Sequence, residues 1–275
     1  MSEIRAKHQR RIRLHPRFAS RHLSTPRDIV VYLPPGYDNG DARCPVLYLQ
    51  DGQNLFDPHT AFGGEDWRAD VTADELILRG AVEPLIIVGI YNTGVRRISE
   101  YTPTKDPRRR KGGKGDRYAT MMARELKPFI DREYRTRRPA AHCGVGGSSL
   151  GGLVALETGL LYPRVFGRLA ILSPSVWWDN RSILEMVRAY KFETRARLWL
   201  DSGTDEGDAP QQSIADLRLL RDALTEKGWR EGVDLRCSEA PGAAHNERAW
   251  AARFGDVLQY LFPRQPPELK SGETR

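Results

Sequence analysis

The sequence HCGVGGSSLGGLVALETGLL, residues 142–161, carries the most specific structural signal in the chain. It contains a single Gly-x-Ser-x-Gly motif that runs from Gly147 to Gly151, with Ser149 at its centre. A strand-like run precedes the motif and a helical pattern follows it, which is the context of a nucleophile elbow. Side chains two residues before and after such a serine would collide, and glycine at both positions removes the collision. The motif therefore predicts an exposed Ser149 at a helix N-terminus, where N–H groups and the helix dipole favour a developing oxyanion.

Short apolar runs alternate with amphipathic stretches on either side of this motif, which favours an α/β layer architecture. Several runs are apolar at nearly every position, as expected for strands buried on both faces of a parallel sheet. We therefore expect a mostly parallel, twisted sheet with helices on both faces. The predicted strands are 28–33, 45–50, 84–91, 142–146, 169–172, 197–200 and 233–238, with a further one near 11–18.

The composition is that of an ordinary globular protein, with 40% hydrophobic residues, 29% charged residues and a formal net charge of +7. Residues 1–262 are predicted to form one domain, followed by a frayed tail at 263–275. The longest apolar run, 84–91, is far shorter than the ~20 residues that cross a bilayer. The basic N-terminus lacks a following apolar stretch, so no secretory signal is expected and a cytoplasmic location is predicted.

Isolated cysteines and a basic cluster at 105–114 do not change this interpretation. Three cysteines without a CxxC pair predict neither a disulfide framework nor a structural zinc site, and we expect no metal and no cofactor. The basic cluster lacks interleaved aromatic residues and no nucleic-acid module is recognisable, so neither nucleic acid nor a membrane is an expected partner. The oligomeric state is not predicted.

A serine hydroxyl needs a base that accepts its proton. In enzymes built on a nucleophile elbow the chain order is serine, acid, histidine, and His245 is the only histidine after Ser149. The acid is expected between them, at the end of a strand. Asp205, Glu206 and Asp208 follow the predicted strand 197–200, and spacing alone does not choose among them.

Two backbone N–H groups are predicted to form the oxyanion hole. One belongs to Leu150, the residue after the nucleophile, and the other comes from the loop after an early strand. Gly52 lets that loop turn toward the site, which makes Gln53 the expected second donor.

Seven segments, in order, together carry a resemblance that covers nearly the whole chain. They are YLPPGY (32–37), VLYLQDGQNLFD (46–57), GGSSLGG (146–152), YPRVFG (162–167), SPSVWW (173–178), DSGTDEGD (201–208) and GAAHNERAW (242–250). The chain resembles the putative-esterase family of the α/β-hydrolase superfamily, which includes siderophore, feruloyl and acetylxylan esterases and the esterase D group. The siderophore-esterase-like branch is the most similar.

The resemblance implies an α/β-hydrolase fold and a serine esterase with Glu206 as the triad acid and Asp205 as its rival. It also implies that the turn at 51–53 lines the oxyanion hole and that Trp177 and Trp178 lie beside the substrate. The short interval between strands 169–172 and 197–200 leaves no room for a separate lid domain. The loop 92–115 is the expected cover.

The basic loop 92–115 carries several arginines, of which Arg97 is the expected substrate-binding residue. An open, basic-rimmed site suits a small-molecule substrate that is a bulky or anionic ester, siderophore-like or of feruloyl or acetyl type. Two alternatives use the same fold. One is an acyltransferase that passes the acyl group to an alcohol or amine, and the other is a non-catalytic binding protein.

Overall fold

The computed structural model describes residues 11–191 and 194–264. Its main sheet has eight strands: β1 (Ile12–Phe18), β2 (Arg27–Tyr32), β3 (Val46–Gln50), β4 (Ile86–Ile90), β7 (Cys143–Ser148), β8 (Arg168–Leu172), β9 (Arg197–Gly203) and β10 (Leu235–Ala240). A two-stranded hairpin of β5 (Lys105–Asp106) and β6 (Lys111–Gly112) lies outside it. The runs predicted from the sequence, including the one near 11–18, all fall on strands of the main sheet.

The sheet order is β1-β2-β4-β3-β7-β8-β9-β10. The β1–β2 and β2–β4 pairs are antiparallel, and every other pair within this sheet is parallel. Parallel strands place their carboxyl ends at one edge, and in such sheets ligands bind at that edge. The predicted α/β class with a mostly parallel sheet is therefore confirmed.

Helices cover both faces of the sheet. They are α1 (Ala69–Leu78), α2 (Arg97–Glu100), α3 (Gly115–Met121), α4 (Lys127–Glu133), α5 (Leu150–Leu161), α6 (Ser182–Ala189), α7 (Pro210–Glu226) and α8 (Glu247–Leu261). The apolar core divides into two clusters, one of which contains the buried residues of α5 and the other those of α1 and α8. Within the described part of the chain, the segment between β8 and β9 contains α6 and no inserted domain.

Two strands run further than their apolar residues suggest. β7 continues through the glycines to Ser148, and β9 continues to Gly203. Glycine at 146 lets β7 approach β8, because a Cβ there would lie 2.5 Å from that of Ala170. Both extensions bring their loops directly to the carboxyl edge of the sheet.

Pro263 forms an isolated bridge with Val82, and the predicted tail beyond Arg264 lies outside the described residues. Within the described ranges, the helices are all too short or too polar to cross a membrane.

Candidate active site

The turn between β7 and α5 holds Ser149 in a strained backbone conformation, with φ 58° and ψ −126°. The glycines on either side have no space for a side chain. A Cβ on Gly147 would lie 2.9 Å from the carbonyl carbon of Gly151, and one on Gly151 would lie 3.0 Å from Cβ of Gln50. The collision inferred from the motif is thus present in the geometry, and it leaves the serine at the apex of a sharp turn.

Three side chains predicted from the sequence meet at this apex. Nε2 of His245 lies 2.9 Å from Oγ of Ser149, and Nδ1 of His245 lies 2.8 Å from Oε2 of Glu206. An ionised carboxylate only accepts hydrogen bonds, so Nδ1 carries the proton and Nε2 is left to accept from the serine. Trp250 packs edge-on against the imidazole, with ring centroids 4.9 Å apart. These contacts join a hydroxyl, an imidazole and a carboxylate in one continuous series of hydrogen bonds.

The other oxygen of Glu206 is saturated by donors from its own surroundings. Oε1 accepts from the backbone N–H of Gly203 at 2.6 Å and from Oγ of Ser173 at 2.5 Å. Ser173 itself accepts from Nε1 of Trp250 at 2.9 Å and from Nη2 of Arg253 at 3.1 Å, so its single proton is directed to the glutamate. Oε2 is left for His245.

Burial would raise the pKa of Glu206, but the hydrogen bonds from His245, Ser173 and Gly203 outweigh it and lower that pKa below its ordinary value. The carboxylate is therefore held ionised although it is buried. The neighbouring candidates differ: Asp205 and Asp208 are exposed, and within the described residues Nδ1 of His245 bonds to Glu206 rather than to either of them.

Asp201 lies inside β9, and its carboxylate binds a different partner. Its carboxylate accepts from Nε of Arg253 at 3.1 Å and from Nη2 at 3.0 Å. Sequence reasoning did not assign Arg253 or Ser173 to the site. The sequence does contain a signal for Arg253, because this residue lies on the apolar face of α8 that includes Trp250, Phe254 and Val257. A charged residue on a buried helix face requires a buried partner.

Residues 51–54, which we name the oxyanion loop because they include the predicted donor Gln53, lie beside the elbow. Gly52 is pressed against β4, since a Cβ there would be 2.4 Å from the carbonyl carbon of Gly89. Gln53 follows it, and Leu150 opens α5, where the first N–H groups have no intrahelical acceptor. The two predicted donors thus lie shortly after two central strands, β3 and β7.

Asp51 precedes these donors and is bound by the neighbouring loop. Its Oδ1 accepts from Nδ2 of Asn92 and from Nε of Arg97, both at 2.8 Å, and its Oδ2 accepts from Nη2 of Arg97 at 2.7 Å. The guanidinium also lies over the ring of Tyr101, 5.2 Å from its centroid. On the other side of the loop, Asn54 donates to Glu247 at 3.0 Å.

The two adjacent tryptophans are separated by the fold. Trp177 is 46% exposed and lines a cavity of about 200 Å³ together with Ser173, Glu206 and His245. Trp178 is buried and donates from Nε1 to the carbonyl of Thr104 at 3.0 Å. The structure therefore brings Trp177 to the site and places Trp178 in the core beneath the hairpin.

The arginines of the loop 92–115 occupy different places. Arg109 lies over the ring of Trp177 at 5.0 Å and pairs with Asp106 at 2.7 Å. With Arg108 it lines a second depression of about 340 Å³, which Trp177 also lines. Arg96 donates to Oγ of Ser24 at 3.2 Å. Among the described residues, no three His, Cys, Asp or Glu side chains cluster closely enough to hold a metal ion.

Comparisons with known proteins place this site in context. The chain is 27% identical to the uncharacterized protein YbbA of Bacillus subtilis, covering 91% of this chain and 98% of that protein. It is 33% identical to a siderophore enterobactin esterase of Emericella nidulans, over 56% of this chain and 54% of the relative.

Among solved structures, an IroE-like serine hydrolase from Shewanella oneidensis superposes with a TM-score of 0.73 at 26% identity, covering 91% of this chain and 80% of that one. The family model described as "Putative esterase" matches residues 20–261. The chain therefore belongs to this esterase family of the α/β hydrolases.

Proposed function

We propose that the protein is a serine carboxylic-ester hydrolase that works through Ser149, His245 and Glu206. The observation that carries the proposal is the continuous chain of two hydrogen bonds, 2.9 Å from serine to imidazole and 2.8 Å from imidazole to carboxylate, at a strained elbow. The family membership supports an ester as the substrate.

In the proposed reaction, Oγ of Ser149 attacks the ester carbonyl while Nε2 of His245 accepts the hydroxyl proton. Glu206 keeps the proton on Nδ1 and stabilises the imidazolium that forms. The N–H groups of Leu150 and Gln53 stabilise the tetrahedral oxyanion, for which each donor typically contributes about 10²–10³ in rate. His245 then protonates the leaving alcohol, and water repeats the same steps on the acyl-enzyme.

Trp177 supports a bulky ester, because this half-exposed residue lines both the cavity at His245 and the arginine-lined depression. A planar group could stack on this ring, and a negative charge could lie near Arg108 and Arg109. A siderophore-like ester offers both features, a feruloyl ester offers the planar group alone, and an acetyl ester would use only the catalytic groups.

The test is turnover of p-nitrophenyl acetate, followed by a panel of esters that vary in acyl length and charge. We expect hydrolysis by the wild type and a loss of at least about 10⁴-fold in kcat in Ser149→Ala. Wild-type protein that hydrolyses no member of the panel would contradict the proposal and favour a binding protein. Transfer of the acyl group to an added alcohol in preference to water would identify an acyltransferase.

A further inference from the structure

We infer that Arg97 is a positioning residue that holds the oxyanion loop, and that it does not bind the substrate's charge. The inference rests on the proposed esterase function and assigns a role within the same site. It departs from the expectation that Arg97 binds the substrate, because the contacts of Arg97 lead toward the oxyanion loop.

The first step is the conformation of Asp51. Its backbone lies in the left-handed region, with φ 55° and ψ 47°, which costs a residue other than glycine free energy. Such a conformation persists only when its surroundings hold it. The bidentate hydrogen bonds from Arg97 and the single hydrogen bond from Asn92 occupy both carboxylate oxygens of Asp51. These bonds fix the Asp51 side chain in place.

The second step leads from Asp51 to the predicted donor. Gly52, the next residue, is seated on β4 with no space for a side chain, and Gln53 follows within a single 3₁₀ turn. Oε1 of Gln53 accepts from the backbone N–H of Asn92 at 3.2 Å. Residues 92–97 therefore bond to the side chains of both Asp51 and Gln53, on either side of Gly52. A shift of this loop would move the donor away from the elbow.

The third step is electrostatic. The side chain of Asp51 is only 8% exposed, so water screens its charge poorly. An uncompensated carboxylate close to the oxyanion loop would oppose the negative charge that develops on the substrate. Arg97 cancels this charge at 2.7 Å, and it therefore serves both the geometry and the potential of the oxyanion hole.

Arg96, the preceding residue, provides a matched control. It belongs to the same loop, but its side chain is exposed and its bond leads to Ser24, away from Asp51. Removing it alters the charge of the loop by the same amount as removing Arg97. Only the removal of Arg97 releases the oxyanion loop.

The experiment compares Arg97→Gln and Arg96→Gln on a neutral and an anionic ester of equal size. We expect R97Q to lower kcat about 10- to 100-fold for both esters, with little change in KM, because it weakens one oxyanion donor. R96Q should leave kcat unchanged. Asp51→Asn combined with R97Q should cost less than the sum of the single changes, since the pair acts as a unit.

If R97Q folds poorly, Arg97→Lys provides the test. It keeps the positive charge but cannot form the bidentate contact, so an intermediate loss of kcat is expected. Unchanged kcat in R97Q, or a KM increase confined to the anionic ester, would overturn the inference and return Arg97 to substrate binding. Absence of Ser149-dependent turnover in the wild type would instead refute the proposed function itself.

Discussion

Two buried glutamates of this protein, Glu206 beside His245 and Glu157 in α5, have opposite ionisation. Their exposures are nearly equal, 4% and 2%. The pKa of Glu206 is lowered, whereas burial, assisted by the charge of Asp116, raises the pKa of Glu157 to about 8. Depth in the fold therefore does not decide whether a carboxyl group is charged.

The difference lies in the donors that surround each group. Glu206 accepts from the imidazole of His245, the hydroxyl of Ser173 and the backbone of Gly203. Oε2 of Glu157 has no hydrogen-bond partner among the described residues, and it lies 1.9 Å from where a Cβ on Gly115 would be. Glu206 is provided with the contacts that a charge requires, and Glu157 fits as a neutral group.

Among the changes that test this comparison of the two glutamates, the largest expected effect comes from Glu206→Gln. It removes the charge that orients the base. Gln keeps the shape but favours the wrong tautomer of His245, and we expect kcat to fall about 10⁴-fold. Steady-state hydrolysis of p-nitrophenyl acetate measures it. Asp205→Asn is the matched control, because this neighbouring carboxylate is exposed and should leave kcat unchanged. The reverse outcome would make Asp205 the acid.

A second prediction concerns the loss of stability at neutral pH that follows from the raised pKa of Glu157. In the unfolded chain it ionises near 4.5, but in the fold it keeps its proton up to about 8. The free energy of unfolding should therefore fall as pH rises between these two values, by at most about 1.4 kcal/mol for each pH unit. Glu157→Gln should abolish this part of the slope with activity unchanged.

Denaturant unfolding at several pH values measures this slope. Because the amide could itself lack a partner, the informative quantity is the slope against pH and not the absolute stability. Glu226→Gln, on the exposed side of α7, should leave the slope as it is in the wild type. An identical slope in E157Q and the wild type would show that Glu157 is charged in the fold.

The two glutamates also show which features of the site can be predicted from the sequence. Ser149 and His245 follow from a motif and from chain order, since the elbow is local and one histidine remains after it. Glu206 needed the family pattern, because Asp205 and Glu206 are adjacent and only the turn after β9 decides which one is buried. The buried state of Trp178 beside the exposed Trp177 depends on tertiary packing in the same way.

Hydrogen-bond partners from distant segments cannot be predicted from spacing. Ser173 reaches Glu206 because β8 and β9 are neighbours in the sheet, although 33 positions separate the two residues. Glu157 lies within the stretch that identified the elbow, yet its raised pKa depends on α3 packing against α5. The sequence therefore predicts the strands, the elbow and the candidate nucleophile. The ionisation of buried groups follows only from the assembled fold.

Ser173→Ala should move Glu206 part of the way toward the state of Glu157. The carboxylate loses one donor, so its pKa should rise, and the side chains of Trp250 and Arg253 each lose an acceptor. We expect kcat to fall about tenfold and the free energy of unfolding to fall by about 1–3 kcal/mol at pH 7. Ser202→Ala is the control, since this buried hydroxyl bonds to the carbonyl of Gly203 and not to Glu206.

The pH dependence separates this tuning from a simple packing loss. A lowered pKa of Glu206 contributes stability that is present above its ordinary value of 4.5 and is lost as pH falls through the folded value. The variant retains less of this contribution, so the stability difference between wild type and S173A should shrink as pH drops below 4.5. A difference that is constant with pH would show that Ser173 only fills space, and that Gly203 and His245 suffice to keep Glu206 ionised.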